Sequence, residues 1–343
     1  MGAKILFFLY QPPFLYFCGQ ISSMFYYLNK SVAAQLVLIT LLLAWAVFTI
    51  LTGVGVCAPE GQSLLFQTVA GFWAQHPIHL KVSAVLMLLL ESLLIGRYYA
   101  ANKFADSRTF MPVVFFLLFA NLGGFLSTVT PAYFTMIILT MVLMVNAQDE
   151  SERTVQNRVF ISGILVGLDS LVDPVSISAV LFLTLVLVTH RYSKSKEIAI
   201  LLFGVLFVFA YLFGTAFLFG KVPMLIASFR QLSFFRLFRD IGALSVRDYV
   251  LILYSAVLLS YLVVRLKLFY DNRLIVLRKR LVTIHILMFV LAVMLLMSGL
   301  ALPEALVYVA LPFSLYFSMI TLQKSRIIFH EILIVAYYVL LWL

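Results

Sequence analysis

VFISGILVGLDSLVDPVSISAVLFLTLVLVTHR, residues Val159–Arg191, places two aspartates between two apolar segments. Asp169 and Asp173 are four residues apart, so a helix puts both carboxylates on one face. Pro174 follows them, and a long apolar segment comes next. Carboxylates inside a membrane segment are costly and mark functional sites by default. The alternative is that both side chains lie in the outer headgroup layer, where a charge costs less.

The composition of the whole chain indicates a membrane protein. Hydrophobic residues make up 64% of the 343 residues and charged residues 11%, which is too apolar for a soluble fold. No polar stretch approaches the ~50 residues that an independent soluble domain needs. We therefore expect residues 24–343 to form a single transmembrane domain. Residues 1–23 would form an interfacial N-terminal segment, or would lie upstream of a natural start at Met24.

The apolar segments predict an all-α polytopic bundle of about eleven spans, because a spanning helix needs about 20 mainly apolar residues. Between the first two spans, Leu64 to Trp73 predicts an interfacial helix with aromatic anchors. The predicted spans cover residues 32–56, 79–100, 110–129, 131–147, 157–172, 175–190, 197–220, 248–269, 281–299, 304–321 and 326–342. The third and fourth spans are expected to form a tight hairpin through Thr130 and Pro131.

The segment before Asp173 is the hardest to assign. Its apolar part, Val159 to Val172, is short enough for a re-entrant segment to compete with a span. If it spans and the N-terminus is cytoplasmic, 18 of the 24 lysines and arginines lie on the cytoplasmic side; otherwise the split is even. The positive-inside rule favours the span and predicts a bacterial inner membrane protein with an extracytoplasmic C-terminus. Gly163 and Gly167 form a small-xxx-small face, typical of a helix clamped between neighbours.

Most of the remaining basic residues fall in one outer loop, residues 221–247. Its segment SFRQLSFFRLFRDIGAL, residues 228–244, has helical periodicity and predicts an amphipathic helix in the outer interface. The planar fork of arginine suits bidentate binding of phosphate. A lipid-linked phosphate or pyrophosphate would therefore be bound by Arg230, Arg236, Arg239 and Arg247. The alternative is that these arginines contact lipid headgroups alone.

Other ionisable residues lie inside predicted spans, in their cytoplasmic halves: Glu91, His285, His330 and Glu331. Either they belong to a proton path, or they are structural, as when Glu91 snorkels toward Arg97. The sequence has no phosphate-binding G-x-x-x-x-G-K-[ST] loop, no G-x-G-x-x-G and no metal-ligand spacing. We therefore expect no cofactor, no metal and no nucleic-acid partner.

Gly163-Ile-Leu-Val-Gly167-Leu168, closed by Asp173-Pro174 and a long apolar helix, resembles a pattern of GT-C-type glycosyltransferases and O-antigen-polymerase-like proteins. From Met24 onward the chain also resembles an uncharacterised group of bacterial polytopic inner-membrane proteins in length, hydropathy and the Gly-Leu-Asp-Ser-Leu phrase. The GT-C resemblance implies a polyprenyl-phosphate-linked substrate and an acidic motif in the first outer loop. That loop contains Glu60 but no Asp-x-Asp pair, which departs from the pattern.

The functional hypothesis at this point is a protein that handles a lipid-linked anionic envelope precursor at its outer face, as a transferase or polymerase. Such an enzyme would use Asp169, Asp173 and Glu60 as catalytic carboxylates near the acceptor hydroxyl, with the loop arginines at the leaving phosphate. Two alternatives come from other classes. A non-catalytic subunit of an envelope assembly needs no polar site, and a transporter or flippase predicts a continuous polar path that includes Glu91.

Overall fold

The computed structural model describes residues 28, 30–56, 65–105, 109–123, 125–146, 152–189, 195–223, 225–226, 245–271, 275–297, 305–321 and 327–342. Nearly all of this part of the chain is helical, so the predicted all-α class is confirmed. The helices are α1 (Val32–Gly53), α2 (Phe66–Gln75), α3 (Pro77–Ala101), α4 (Met111–Leu122), α5 (Pro131–Asn146), α6 (Glu152–Val172), α7 (Ala179–Thr189), α8 (Ser195–Leu218), α9 (Val246–Tyr270), α10 (Ile275–Met297), α11 (Val307–Thr321) and α12 (Ile327–Trp342). Two short strands, β1 (Gly55–Val56) and β2 (Thr128–Val129), pair in parallel.

Several of these helices fit a membrane protein. Five stretches are long and apolar enough to cross a bilayer, namely α1, α3, residues Val155–Val172 of α6, α8 and residues Val246–Leu268 of α9. Shorter apolar helical stretches cover Met111–Leu122, Pro131–Asn146, Pro174–Thr189, Val307–Thr321 and Phe329–Trp342. Each predicted span coincides with a described helix. Five of these helices are long and apolar enough to cross a bilayer. The count of about eleven spans therefore stays a prediction.

The predicted tight hairpin between the third and fourth spans is wrong. Helix α4 ends at Leu122, well before residue 129, and the chain continues through a 3-10 turn, Phe125–Ser127, into β2. The Asn121 side chain marks this end, because its amide donates to Leu117 O at 2.8 Å and to Leu42 O of α1 at 3.2 Å. Pairing of β2 with β1 then holds the connection against the end of α1.

Helix α6 settles the length of the segment before Asp173. It begins at Glu152, inside the polar run, and reaches Val172, giving 21 residues. The hydropathy of the sequence predicted a later start for this helix, because its charged first turns contain few apolar residues. The helix is therefore longer than its apolar part, as a span requires.

Helices α6 and α8 approach closely through glycines, which confirms the predicted small-residue face. A Cβ atom on Gly163 would lie 2.4 Å from Leu201 O, and one on Gly204 would lie 2.6 Å from Phe160 O. Because Gly163 meets Leu201 and Gly167 meets Val205 and Val208, the two helices run in the same direction. No side chain larger than hydrogen fits at these contacts without displacing backbone.

Helix α11 lies at the centre of the bundle, with every one of its residues buried. It packs against α4, α5, α9, α10 and α12. Its aromatic rings interlock with those of its neighbours, as in the contacts of Phe317 with Phe115 and of Phe313 with Tyr337, at centroid distances of 5.7 and 5.1 Å. A helix that is apolar all round and buried all round is consistent with this position. Its first turn carries Tyr308 into the site described below.

Candidate functional site

Asp169 and Asp173 lie in the interior of the bundle, at the point where α6 ends. Pro174 has no N–H and cannot continue the α-helix, so the chain changes to a 3-10 helix, Pro174–Ser178. Asp173 caps this turn by accepting the Val175 N–H at 3.2 Å. Asp169 is 0% exposed and Asp173 4% exposed. Both carboxylates are therefore packed inside the protein, and their depth relative to the outer headgroup layer stays a prediction.

A threonine from another helix joins the two aspartates. Thr135 of α5 places its hydroxyl oxygen 3.1 Å from Asp169 Oδ1 and 3.0 Å from Asp173 Oδ2. From the central helix, the Tyr308 hydroxyl donates a hydrogen bond to the same Oδ2 of Asp173. Two consecutive helices, α5 and α6, and the distant helix α11 thus meet at one buried carboxyl pair, which we name the aspartate pair.

The fully buried hydroxyl of Ser176 lies beside Asp169, close enough to act as a weak donor to its carboxyl group. Neither this hydroxyl nor Asp169 Oδ2 makes a hydrogen bond of ordinary geometry within the described residues. Among the elements around the pair, α5, the 3-10 turn, α7 and α11 contain no Lys, Arg or His, whereas α10, which packs against the 3-10 turn, carries Arg278, Lys279, Arg280 and His285. The hydrogen bonds that the described residues make to the two aspartates come from neutral hydroxyl and backbone N–H groups.

The number of hydrogens available to the aspartate pair indicates its protonation state. A threonine hydroxyl has one hydrogen, so Thr135 can donate to one of the two carboxyl groups. Asp173 already accepts from Val175 and Tyr308, which favours its charged form. The contact between Thr135 and Asp169 is also a hydrogen bond if Asp169 carries a proton and donates it to Thr135. The arrangement that fits is a chain in which Asp169 donates to Thr135, Thr135 donates to Asp173, and Tyr308 donates to Asp173 from the other side.

The electrostatic cost of two charges also favours one protonated carboxyl group in the pair. Two charged carboxylates in a buried site would each be desolvated and would repel each other. Asp169 also lies in the last turn of α6, where the negative end of the helix dipole disfavours a further anion. One shared proton removes most of this cost. The chemistry that the site offers is the binding and release of a proton.

One side of the aspartate pair is covered by α2. Phe66, Ala70 and Trp73 form its buried stripe, and Leu65 N just before it donates to Leu171 O, between the two aspartates, at 3.0 Å. Phe66 and Trp73 both contact the ring of Phe134, the neighbour of Thr135, at 6.0 and 6.3 Å. The helix predicted from Leu64 to Trp73 thus exists, shifted by two residues, and seals one end of the site.

Of the other predicted site residues, the structure describes Arg247. Glu60, Arg230, Arg236 and Arg239 lie outside the described residues, as do the amphipathic helix of residues 228–244 and the N-terminal segment 1–23. Arg247 is described, near the start of α9. Its guanidinium donates to Leu341 O at 2.9 Å, where the end of α12 attracts a cation.

The ionisable residues of the other spans lie apart from the aspartate pair. Glu91 of α3 is buried, and its Oε1 lies 2.7 Å from the hydroxyl of Thr140 of α5. His285 Nδ1 contacts the Tyr316 hydroxyl, and His330 Nε2 lies 2.9 Å from the Tyr261 hydroxyl. Thr135, Tyr308 and Thr140 were not foreseen from the sequence, because neutral hydroxyl residues in apolar helices give no distinct signal.

Comparison of the chain with protein-family models, with curated proteins and with solved structures finds no match. The resemblances to GT-C-type transferases and to an uncharacterised inner-membrane group stay predictions.

Proposed function

We propose that this chain is a polytopic inner-membrane transport protein in which the aspartate pair binds and releases the coupling proton. The observation that supports this most directly is the Thr135 hydroxyl, which lies within hydrogen-bond distance of two buried carboxyl groups at the end of α6. Ionisable residues buried inside a membrane bundle are typical of proton pathways.

Proton release provides a physical basis for coupling. When Asp169 loses its proton, Thr135 has one hydrogen for two charged groups. Unit charges about 4 Å apart repel by about 4 kcal/mol at an effective dielectric constant of about 20. The deprotonated form therefore favours separation of α6 from α5 and α11, or entry of water. Two conformations with different proton affinities are what coupling requires.

The proposed topology has eleven spans, a cytoplasmic N-terminus and an extracytoplasmic C-terminus. Contacts at the helix ends support the alternation. Lys81 at the start of α3 donates to Leu51 O at the end of α1, 2.6 Å away. At the opposite end of α3, Arg280 of α10 donates to Asn102 O at 2.7 Å. In this topology Asp169 and Asp173 lie toward the outer face.

The lipid-linked anionic precursor is the proposed substrate, with a polyprenyl phosphate as its anchor. This part of the proposal is based on Arg230, Arg236 and Arg239 and on the resemblance described above. Burial of both aspartates favours proton binding over general-base catalysis, because a catalytic base must reach the acceptor hydroxyl. Transferase chemistry at Glu60 stays a prediction.

Solid-supported membrane electrophysiology tests the proposal without a known substrate, because binding of a proton inside the membrane displaces charge. Proteoliposomes containing the full chain are exposed to a pH jump in Na⁺-free buffer. We expect a transient current that is lost in Asp169→Asn. Ser178→Ala is the matched control, because the Ser178 hydroxyl in the same 3-10 turn donates to Val175 O at 2.9 Å and not to the pair.

Three results would overturn the proposal. A current in Asp169→Asn equal to that of the unmodified chain removes the aspartate pair from the pathway. A current after a Na⁺ jump at constant pH, with none after a pH jump, replaces the proton by Na⁺. No current under either condition leaves the non-catalytic subunit as the function to test.

A further inference from the structure

Glu91 is a second buried carboxyl group, and the aspartate pair does not use it. It lies near the middle of α3 and is 3% exposed. Its Oε1 is 2.7 Å from the Thr140 hydroxyl, and its Oε2 has no hydrogen-bond partner among the described residues. A buried carboxyl group with a single polar neighbour is costly to charge.

The neighbours of Glu91 supply no compensating charge. Helix α3 packs against α1, α2, α4 and α5, and these four helices contain no Asp, Glu, Lys, Arg or His. On α3 itself, Lys81 is bound to Leu51 O, and Arg97 is exposed on another face. Glu91 therefore does not snorkel to Arg97, and this alternative from the sequence is wrong.

The hydrogens of Thr140 indicate the protonation state of Glu91. The Thr140 hydroxyl lies 2.7 Å from Glu91 Oε1 and 2.9 Å from Met136 O. A backbone carbonyl can only accept, and Thr140 has one hydrogen. Both contacts are hydrogen bonds if Thr140 donates to Met136 and a protonated Glu91 donates to Thr140. With a charged Glu91, only one of the two contacts is a hydrogen bond.

Helix α5 thus contacts two carboxyl sites through two of its threonines. Thr135 and Thr140 are five residues apart, which on an α-helix is about 7.5 Å along the axis and about 140° around it. Glu91 and the aspartate pair therefore lie on different sides of α5 and at different depths. In the proposed topology, Glu91 is the one nearer the cytoplasmic end.

We propose that Glu91 and Thr140 form a second proton-binding site, inward of the aspartate pair and separated from it by α5. This inference rests on the proposed function for its direction, because the aspartate pair supplies the outer site. The two sites do not share a hydrogen bond, so transfer between them needs water or a movement of α5. The occupant of the Glu91 site is a proton.

Carbodiimide labelling tests this site, because dicyclohexylcarbodiimide modifies protonated carboxyl groups in apolar surroundings. The full chain in lipid vesicles is treated at a series of pH values, and the adduct is located by mass spectrometry of peptides. We expect an adduct at Glu91 that decreases as the pH rises. The charge displaced in the pH-jump experiment should fall at least twofold in Glu91→Gln.

Two further variants keep the result interpretable if Glu91→Gln folds poorly. Thr140→Val removes the hydrogen-bond partner that the described residues provide and should change the pH dependence of the adduct, whereas Thr140→Ser should restore it. Ser92→Ala is the matched control, because the buried Ser92 hydroxyl next to Glu91 donates to Leu88 O of its own helix at 2.7 Å.

The outcomes separate this inference from the proposed function. No adduct at Glu91 at any pH, or an unchanged displaced charge in Glu91→Gln, overturns the second site even if Asp169→Asn abolishes the current. An adduct with the expected pH dependence, together with an unaffected current in Asp169→Asn, supports the site and overturns the proposed role of the aspartate pair.

Discussion

At the scale of single residues, Thr135 is the side chain on which the aspartate pair depends. Its hydroxyl is the only group that touches both carboxyl groups within the described residues. Removing it leaves Asp169 and Asp173 facing each other with fewer donors and no bridge. A buried polar group that loses its partner costs about 1–3 kcal/mol.

We expect Thr135→Val to lower the free energy of unfolding by about 1–3 kcal/mol, because valine keeps the shape and removes the hydroxyl. Thr135→Ser should restore most of the loss. Thr184→Val is a control, because the Thr184 hydroxyl donates only to Val180 O of the same helical segment. Unfolding of the full chain in micelles measures these differences. Equal losses in Thr135→Val and Thr184→Val would show that the bridge contributes nothing specific.

The sequence was sufficient to find Asp169 and Asp173 but not their partners. Spacing along one helix places two carboxylates on one face, and membrane burial makes them conspicuous. Thr135 and Tyr308 are 34 and 135 residues away from the aspartates that they contact. Such contacts follow from how distant helices pack, which periodicity within one segment does not determine.

At the scale of elements, α2 covers one side of the aspartate pair. Phe66 of α2 is fully buried, whereas Phe72 of the same helix is 50% exposed. The ring of Phe66 fills the space next to Phe134, and truncation would open a path for water toward Thr135. The two phenylalanines therefore form a matched pair for mutation.

We expect Phe66→Ala to speed hydrogen–deuterium exchange of the protonated Asp169 carboxyl group at least about tenfold, and Phe72→Ala to leave the rate unchanged. The reason is that an apolar seal is lost in the first variant alone. Infrared spectroscopy after transfer to D₂O measures the rate. Equal rates in the two variants would mean that α2 does not limit access.

The contact between α6 and α8 provides a second test at this scale. A Cβ on Gly163 would press on backbone, and such overpacking costs about 1–3 kcal/mol. Gly214 of α8 has no atom within 4 Å of its would-be Cβ, so alanine there should be neutral or slightly stabilising. We expect Gly163→Ala to be less stable than Gly214→Ala in thermal unfolding. The reverse order would contradict the close approach of these helices.

The ends of the helices show where hydropathy fails. It measures how apolar a segment is, and the charged first turns of α6 are helical without being apolar. Conversely, residues 123 and 125–129 are mostly apolar or small but leave the helix, because Asn121 and the pairing of β2 with β1 redirect the chain. The positions of the helices were predictable for this reason, and their boundaries were not.

At the scale of the whole molecule, the proposed topology places the C-terminus and the loop between α7 and α8 on opposite sides of the membrane. Arg247 joins the start of α9 to the end of α12, so the C-terminal end should share its side of the membrane with the loop before α9. Alkaline phosphatase fused after Leu343 should be active, because the enzyme matures outside the cytoplasm. The same enzyme fused between α7 and α8 should be inactive. An inactive C-terminal fusion, together with an active one between α7 and α8, would invert the topology.

Whether the aspartate pair holds one proton can be measured directly. Infrared titration of the full chain in lipid, with ¹³C-labelled aspartate, separates aspartic acid from the Glu91 signal. We predict one isotope-shifted band of a protonated carboxyl group, present at neutral pH and absent in Asp169→Asn. A folded protein with no such band at neutral or acid pH, or a band that persists in Asp169→Asn, would contradict the account.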